Sequence, residues 1–264
     1  MKYLKITLEY DGGRYSGWQL QPAKPTVQEA VEAKLSQLLN APVRVHASGR
    51  TDAGVHALGQ AAHFSTHKEP DLARLMVGFN SIPPRDLSMT GIKEVDATFH
   101  ARKSALGKWY RYRILNRPFP SPFENGYSWF IHRRLNLESM CRGGGLLTGT
   151  HDFSSFKGAG SDTSSQVRTI CQIVINRSPV SDIISLDFYG NGFLKYMVRI
   201  IVGTLLDVGR EKISPDDLKE ILAEKDRKAA GVTAPPEGLY LMTVFYEHSV
   251  WEKALSAAEK TGRK

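Results

Sequence analysis

Leu4, Ile6, Leu8 and Tyr10 alternate with Tyr3, Lys5, Thr7 and Glu9, the period of two expected of a strand with one buried face. Glycines at 12, 13 and 17 stop it. Thr26 and Glu29 then form a capping-box signature, and Val27, Ala30, Val31, Leu35, Leu38 and Leu39 share one helical face. The runs Val43 to Ala47 and Gln60 to Phe64 read as strands on either side of a glycine-rich loop. A helix is predicted over Pro70 to Phe79 and a strand over Asp86 to Val95. The second half repeats this style. It offers a strand over Lys108 to Leu115, a helix from about Leu137, strands over Arg168 to Asn176 and Ile183 to Tyr189, and a helix over Phe193 to Val208. A short helix follows Ser214-Pro215, and a last strand covers Leu239 to Tyr246. Strands mixed with helices that cover one sheet face predict an α+β architecture. Gly143, Gly144 and Gly145 fall inside a predicted helix, where each costs roughly 0.5–1 kcal/mol relative to alanine, so that helix is expected to be irregular.

Composition sets the outer limits. The 264 residues can bury a large core without disulfides, and the two cysteines, Cys141 and Cys171, form no Cys-x-x-Cys pair. With no basic-then-apolar leader before the first strand, a reducing cytoplasm is expected. No apolar run reaches the ~20 residues a membrane helix needs, so a soluble protein is expected. Thirty-five Lys and Arg against 27 Asp and Glu leave a formal charge of +8, enough to attract a polyanion but not diagnostic of one. Placement says more. Arg102, Lys103, Lys108, Arg111, Arg113 and Arg117 crowd around Trp109, Tyr110 and Tyr112, interleaving phosphate-binding and base-stacking groups as an RNA surface requires. The plain alternative is a solvated strand face.

The densest chemistry lies between Ala47 and Phe64, where Asp52 sits between Arg50 and His56 in a loop punctuated by Gly49, Gly54 and Gly59. Glycines there let the backbone take positive φ or approach a ligand. An Asp in such a turn often only bonds its own backbone. Competing signals are weak. His63 and His67 are spaced i, i+4, but Phe64 stands where a His-Glu-x-x-His metal site has its Glu, and Gly12, Gly13 and Gly17 do not keep the register of a dinucleotide loop. Neither a metal nor a nucleotide cofactor is expected. His151, Asp152 and Ser154 invite a relay reading, but a corner bonding its own backbone is what they predict.

The stretch Gly49 to Ala57, GRTDAGVHA, resembles the catalytic motif of the TruA family of tRNA pseudouridine synthases without departure. The likeness continues through YDGGRYSGWQLQP and TVQEAVEAKL near the start, then WYRYRILN (109–116), GTHDFSSF (149–156), RTI (168–170), GFLKYMVRIIVGTLLDVG (192–209) and APPEGLYL (234–241). This resemblance implies two similar subdomains whose antiparallel or mixed sheets, covered by helices on one face, run together around a central catalytic cleft. Its boundaries would be 1–104 for a catalytic subdomain carrying the Asp loop, 105–247 for a subdomain completing the cleft, and 248–264 for a charged tail. It implies isomerisation of uridine to pseudouridine at positions 38, 39 and 40 of the tRNA anticodon arm by a homodimer without cofactor.

Residue by residue, the resemblance makes Asp52 the essential carboxylate, Arg199 of KYMVRIIVG the cation facing it, and Tyr110 the active-site tyrosine. Whether Asp52 attacks carbon or acts as a base stays open. Physical chemistry concurs on the need for a cation, since burial raises a carboxylate's pKa and a positive charge within ~4–6 Å lowers it. Arg199 could instead pair with Asp187 or Asp207, and Arg50 could be the partner or a phosphate ligand. A target inside a duplex must be extruded, and Arg50 and His56 are candidates for holding the displaced strand. Tyr112 reads as core. A non-catalytic RNA binder and an N-glycosidase are the alternatives from other classes.

Overall fold

The computed structural model describes residues 1–160 and 163–262. In chain order its elements are β1 (Lys2–Tyr10), α1 (Val27–Leu39), β2 (His46–Ala47), β3 (His56–Thr66), α2 (Leu72–Ser81), β4 (Leu87–Glu94), β5 (Gly107–Asn116), β6 (Trp129–Ile131), α3 (Leu137–Leu146), β7 (Gly149–Asp152), β8 (Val167–Arg177), β9 (Ile183–Gly190), α4 (Met197–Gly209), α5 (Asp217–Glu224), β10 (Leu239–Phe245) and α6 (His248–Gly262). The fold is mixed α+β. The chain divides into two units, residues 1–105 with 240–246, and residues 106–239 with 247–262. Among the described residues no helix is long and apolar enough to cross a membrane.

In the first unit the strands run β4-β1-β3-β10. β1 pairs antiparallel with both β3 and β4, while the other edge of β3 is shared by parallel β10 at His56 and Ala57 and by antiparallel β2 at Ala62 and His63. The alternation read in β1 is real, for Leu4, Ile6, Leu8 and Tyr10 are all buried. The Thr26 hydroxyl caps α1 by accepting from the Glu29 N–H, and Val27, Val31, Leu35 and Leu39 form its buried stripe. The strand expected over Val43 to Ala47 shrinks to two residues. The reason is that α1 side chains satisfy the preceding backbone donors: Ser36 Oγ accepts from Val43 N–H at 3.0 Å and Glu32 Oε1 from Val45 N–H at 3.0 Å. Conversely β3 is longer than expected, beginning at His56 within the glycine-punctuated loop.

The second unit orders its strands β6-β5-β9-β8-β7. α3 is a continuous helix despite its three glycines, which corrects the irregularity expected. A Cβ at Gly143 would lie 2.8 Å from Leu218 Cδ1 and one at Gly144 3.2 Å from Ile173 Cγ2, so close packing accounts for these two. α4 is the most buried helix described, but it starts at Met197 rather than Phe193 because Tyr196 takes a left-handed φ of 61° as its N-cap. The tail forms α6, whose Trp251, Ala254 and Leu255 pack with Trp109, Val174 and Tyr189. Residues 263 and 264 of that tail lie outside the described residues.

Candidate active site

In the first unit, the loop from Ser48 to Val55 is fastened along its length. Ser48 N–H donates to Ala61 O at 2.8 Å, and the Gln60 amide bridges Ser48 Oγ and Gly49 O. Beside the acid, Thr51 is buried: its hydroxyl shares a 2.8 Å hydrogen bond with Tyr10 Oη, and its carbonyl accepts from Trp18 N–H at 3.0 Å. Burial pushes the Tyr10 phenol up to about 12, so this anchor stays protonated at neutral pH. On the far side of Asp52, Gly54 takes φ 78° and donates its N–H to Tyr15 O, a conformation that glycine alone adopts without penalty. Asp52 itself is half-buried between exposed Arg50 and Ala53. A carboxylate on a rigid, partly open loop results.

His56 leads from this loop into β3. Its ring is 2 % exposed, stacks on Tyr240 at 4.8 Å, accepts the Gly12 N–H at Nδ1, and lies 3.1 Å from Asp11 Oδ1. Glycine 59 is explained by β10, since a Cβ there would stand 2.4 Å from Met242 O.

In the second unit, Tyr110 lies on β5, 8 % exposed, with its ring edge-on to Phe193 at 5.2 Å. Tyr112, two residues on, is fully buried and donates its hydroxyl to Pro235 O at 2.8 Å, a core residue as its pattern suggests. Arg199 stands in the first turn of α4. Its Nε donates to Ala234 O at 2.7 Å, its own carbonyl accepts Ala234 N–H, and its guanidinium lies 4.9 Å over the Tyr196 ring. The two acids weighed as structural partners for it are engaged elsewhere, Asp187 by Arg111 in a bidentate pair and Asp207 by Lys212.

Three arginines of the basic and aromatic cluster on and beside β5 have acidic partners. Arg111 grips Asp187, Arg113 reaches Glu124 at 2.9 Å and Arg117 lies 3.7 Å from Asp182. Trp109 donates its indole N–H to the same Asp187 and stacks on Tyr189. Acids distant in sequence, invisible in a local reading of 102–117, thus pair with three of its six cations. The corner at 151–154 bonds itself, as expected: Asp152 Oδ1 accepts from the Ser154 hydroxyl and N–H, while His151 Nε2 bonds Thr148 O.

Missed in the sequence were Phe193, Tyr196, Ala234 and Tyr240, the groups that orient Tyr110, Arg199 and His56. None of these carried a local signal, Tyr196 least of all, since it falls inside the helix predicted over Phe193 to Val208.

The fold and this loop define an α+β protein that presents one held carboxylate. A family model described as tRNA pseudouridine synthase matches residues 6–102 and 145–247. The chain is 44% identical over 246 residues to tRNA pseudouridine synthase A of Thermoanaerobacter sp. (strain X514), covering 93% of this chain and 100% of that protein. It is 42% identical over 246 residues to the protein of that name from Geotalea daltonii, with the same coverage, and 43% over 247 residues to that of Exiguobacterium sp. (strain ATCC BAA-1283 / AT1b), covering 94% and 99%. The chain belongs to the tRNA pseudouridine synthase family. Its members are isomerases of uridine in tRNA.

Proposed function

We propose that this chain isomerises uridine to pseudouridine in the anticodon arm of tRNA, at positions 38, 39 and 40, with Asp52 as the catalytic carboxylate. The observation that carries the assignment is the loop itself: GRTDAGVHA stands without departure, and Thr51 and Gly54 hold its acid from both sides while leaving it partly open.

The reaction breaks the N1–C1′ bond of the nucleotide, turns the uracil and forms a C5–C1′ bond. The C5 proton leaves, and N1 ends protonated, so atoms balance without any redox partner. The carboxylate works in its ionised form, which requires a cation. Arg199 fills that role: the carbonyl of Ala234 and the ring of Tyr196 fix its guanidinium. Tyr110 stacks on the uracil, and its hydroxyl, or a water beside it, takes the C5 proton. Arg50, exposed next to the acid, binds phosphate or the displaced strand. His56 is a weaker RNA contact because its ring is already spent on Gly12 and Tyr240. The enzyme works in the cytoplasm as a homodimer, which doubles a charge of +8 for a long polyanion.

Unmodified tRNA transcript mixed with the purified protein should yield pseudouridine and no free uracil, and Asp52→Ala should abolish product with tRNA affinity changed by no more than a few-fold. Turnover by that variant defeats the assignment. Free uracil would make the protein a glycosidase, and binding without product a non-catalytic RNA binder.

A further inference from the structure

The second unit contains a cavity of about 560 Å³ whose lining includes Arg134, Arg177 and Arg210, with Asn136 and Leu137 of the α3 start and Glu211. We propose that this cavity is a phosphate-binding site, separate from the residues assigned to uridine chemistry. Three guanidiniums against one carboxylate leave a net positive lining, and guanidinium forks match phosphate oxygens bidentately. The carboxylate is already partnered, because Glu211 Oε1 accepts from Asn136 Nδ2 at 2.9 Å.

The backbone reinforces the sign. Gly209 O, at the negative end of α4, is occupied by Asn136 N–H, and the preceding carbonyls of Leu206, Asp207 and Val208 are also taken. Asn136, the N-cap of α3, and Leu137 line the same space, where the positive end of the helix dipole favours an anion. Arg177 is held in place by Asn116, which accepts at 2.6 Å. Arg210 Nε is buried with no partner among the described residues, an unmet donor on a side chain that borders the cavity. Along α4, Gly209 is about 15 Å from Arg199 at ~1.5 Å per residue, so one phosphate cannot serve both.

The phosphate could belong to the RNA backbone, which rests on the proposed function, or be a free ion. Two measurements on the full chain distinguish the sources. Inorganic phosphate should raise the melting temperature of the wild type and raise it less in Arg134→Ala and in Arg210→Ala, both compared with their own phosphate-free baselines. Unmodified tRNA should bind Arg134→Ala about five-fold more weakly, with the salt slope reduced by ~1 and kcat unchanged. Arg74→Ala, removing an exposed charge in the other unit, is the control. Loss of protection together with the slope change identifies an RNA phosphodiester; loss of protection alone identifies a free phosphate. Equal protection in all proteins and a slope no different from Arg74→Ala overturn the site. Absence of pseudouridine in the wild-type assay would sink the functional reading and leave the phosphate measurement standing.

Discussion

The Gly12 N–H donates to His56 Nδ1 at 3.1 Å, joining the turn after the first strand to the residue where the acid-bearing loop ends. That bond is buried, and an alanine at 12 could not preserve it, since its Cβ would fall 2.0 Å from Val55 O.

His56→Ala therefore leaves the Gly12 donor unmet and removes the ring from Tyr240. A stability loss of about 1–3 kcal/mol is expected from urea unfolding, with kcat reduced more than KM is raised. Gly12→Ala should be at least as damaging, because backbone rather than a flexible side chain must move. A His56 variant with normal kcat and weakened tRNA binding would instead make the imidazole an RNA contact.

Arg199→Lys keeps the charge but loses the planar fork that Ala234 O and the Tyr196 ring orient. Single-turnover rates should fall by about 100-fold with tRNA affinity nearly constant, a size typical of one misplaced electrostatic group. A near-normal rate would remove Arg199 from the chemistry.

Tyr110→Phe retains the edge-on contact with Phe193 and deletes only the hydroxyl. If that oxygen, or a water it holds, accepts the C5 proton, the variant should bind tRNA normally and turn over at least ten-fold more slowly, whereas Tyr110→Ala should also lose affinity.

Acid should weaken the fold through the ring cluster of His46, His63 and His100, whose centroids lie 4.8–6.1 Å apart. Burial first, then the neighbouring histidines, hold His63 below its usual value of 6.5; burial, then Lys103 and His46, do the same for His100. Ala101 N–H donates to His63 Nδ1, and although His46 O lies 3.2 Å from the same nitrogen, the fixed amide proton favours the unprotonated form. A histidine with a depressed folded pKa contributes stability that is complete above about pH 6.5 and declines as pH falls through that value toward the folded one. The melting temperature should drop between pH 7.5 and 5.5, and the drop should shrink in His63→Gln.

Much of this was written locally. A period-two run marks β1, strands are predicted over β5, β8 and β9, and Asp71, which caps α2, lies one residue from the proline where that helix is predicted to begin. The motif around Asp52 was visible as a string of letters. What was not legible depended on distant partners. Glu32 and Ser36 shortened β2, Leu218 and Ile173 explained two of the α3 glycines, and Asp187, Glu124 and Asp182 claimed arginines that looked available to RNA. The left-handed Tyr196 delayed α4 because Gly158, where a Cβ would meet its ring at 2.4 Å, leaves room for it.

The family match stops at residue 247, yet α6 continues from His248 and lays Trp251 against Tyr189 at 6.4 Å, over the indole of Trp109 and the flat edge of Gly107. Anyone trimming the gene to the shared region would uncover a greasy aromatic shelf, and purification would suffer from clumping before any assay was run.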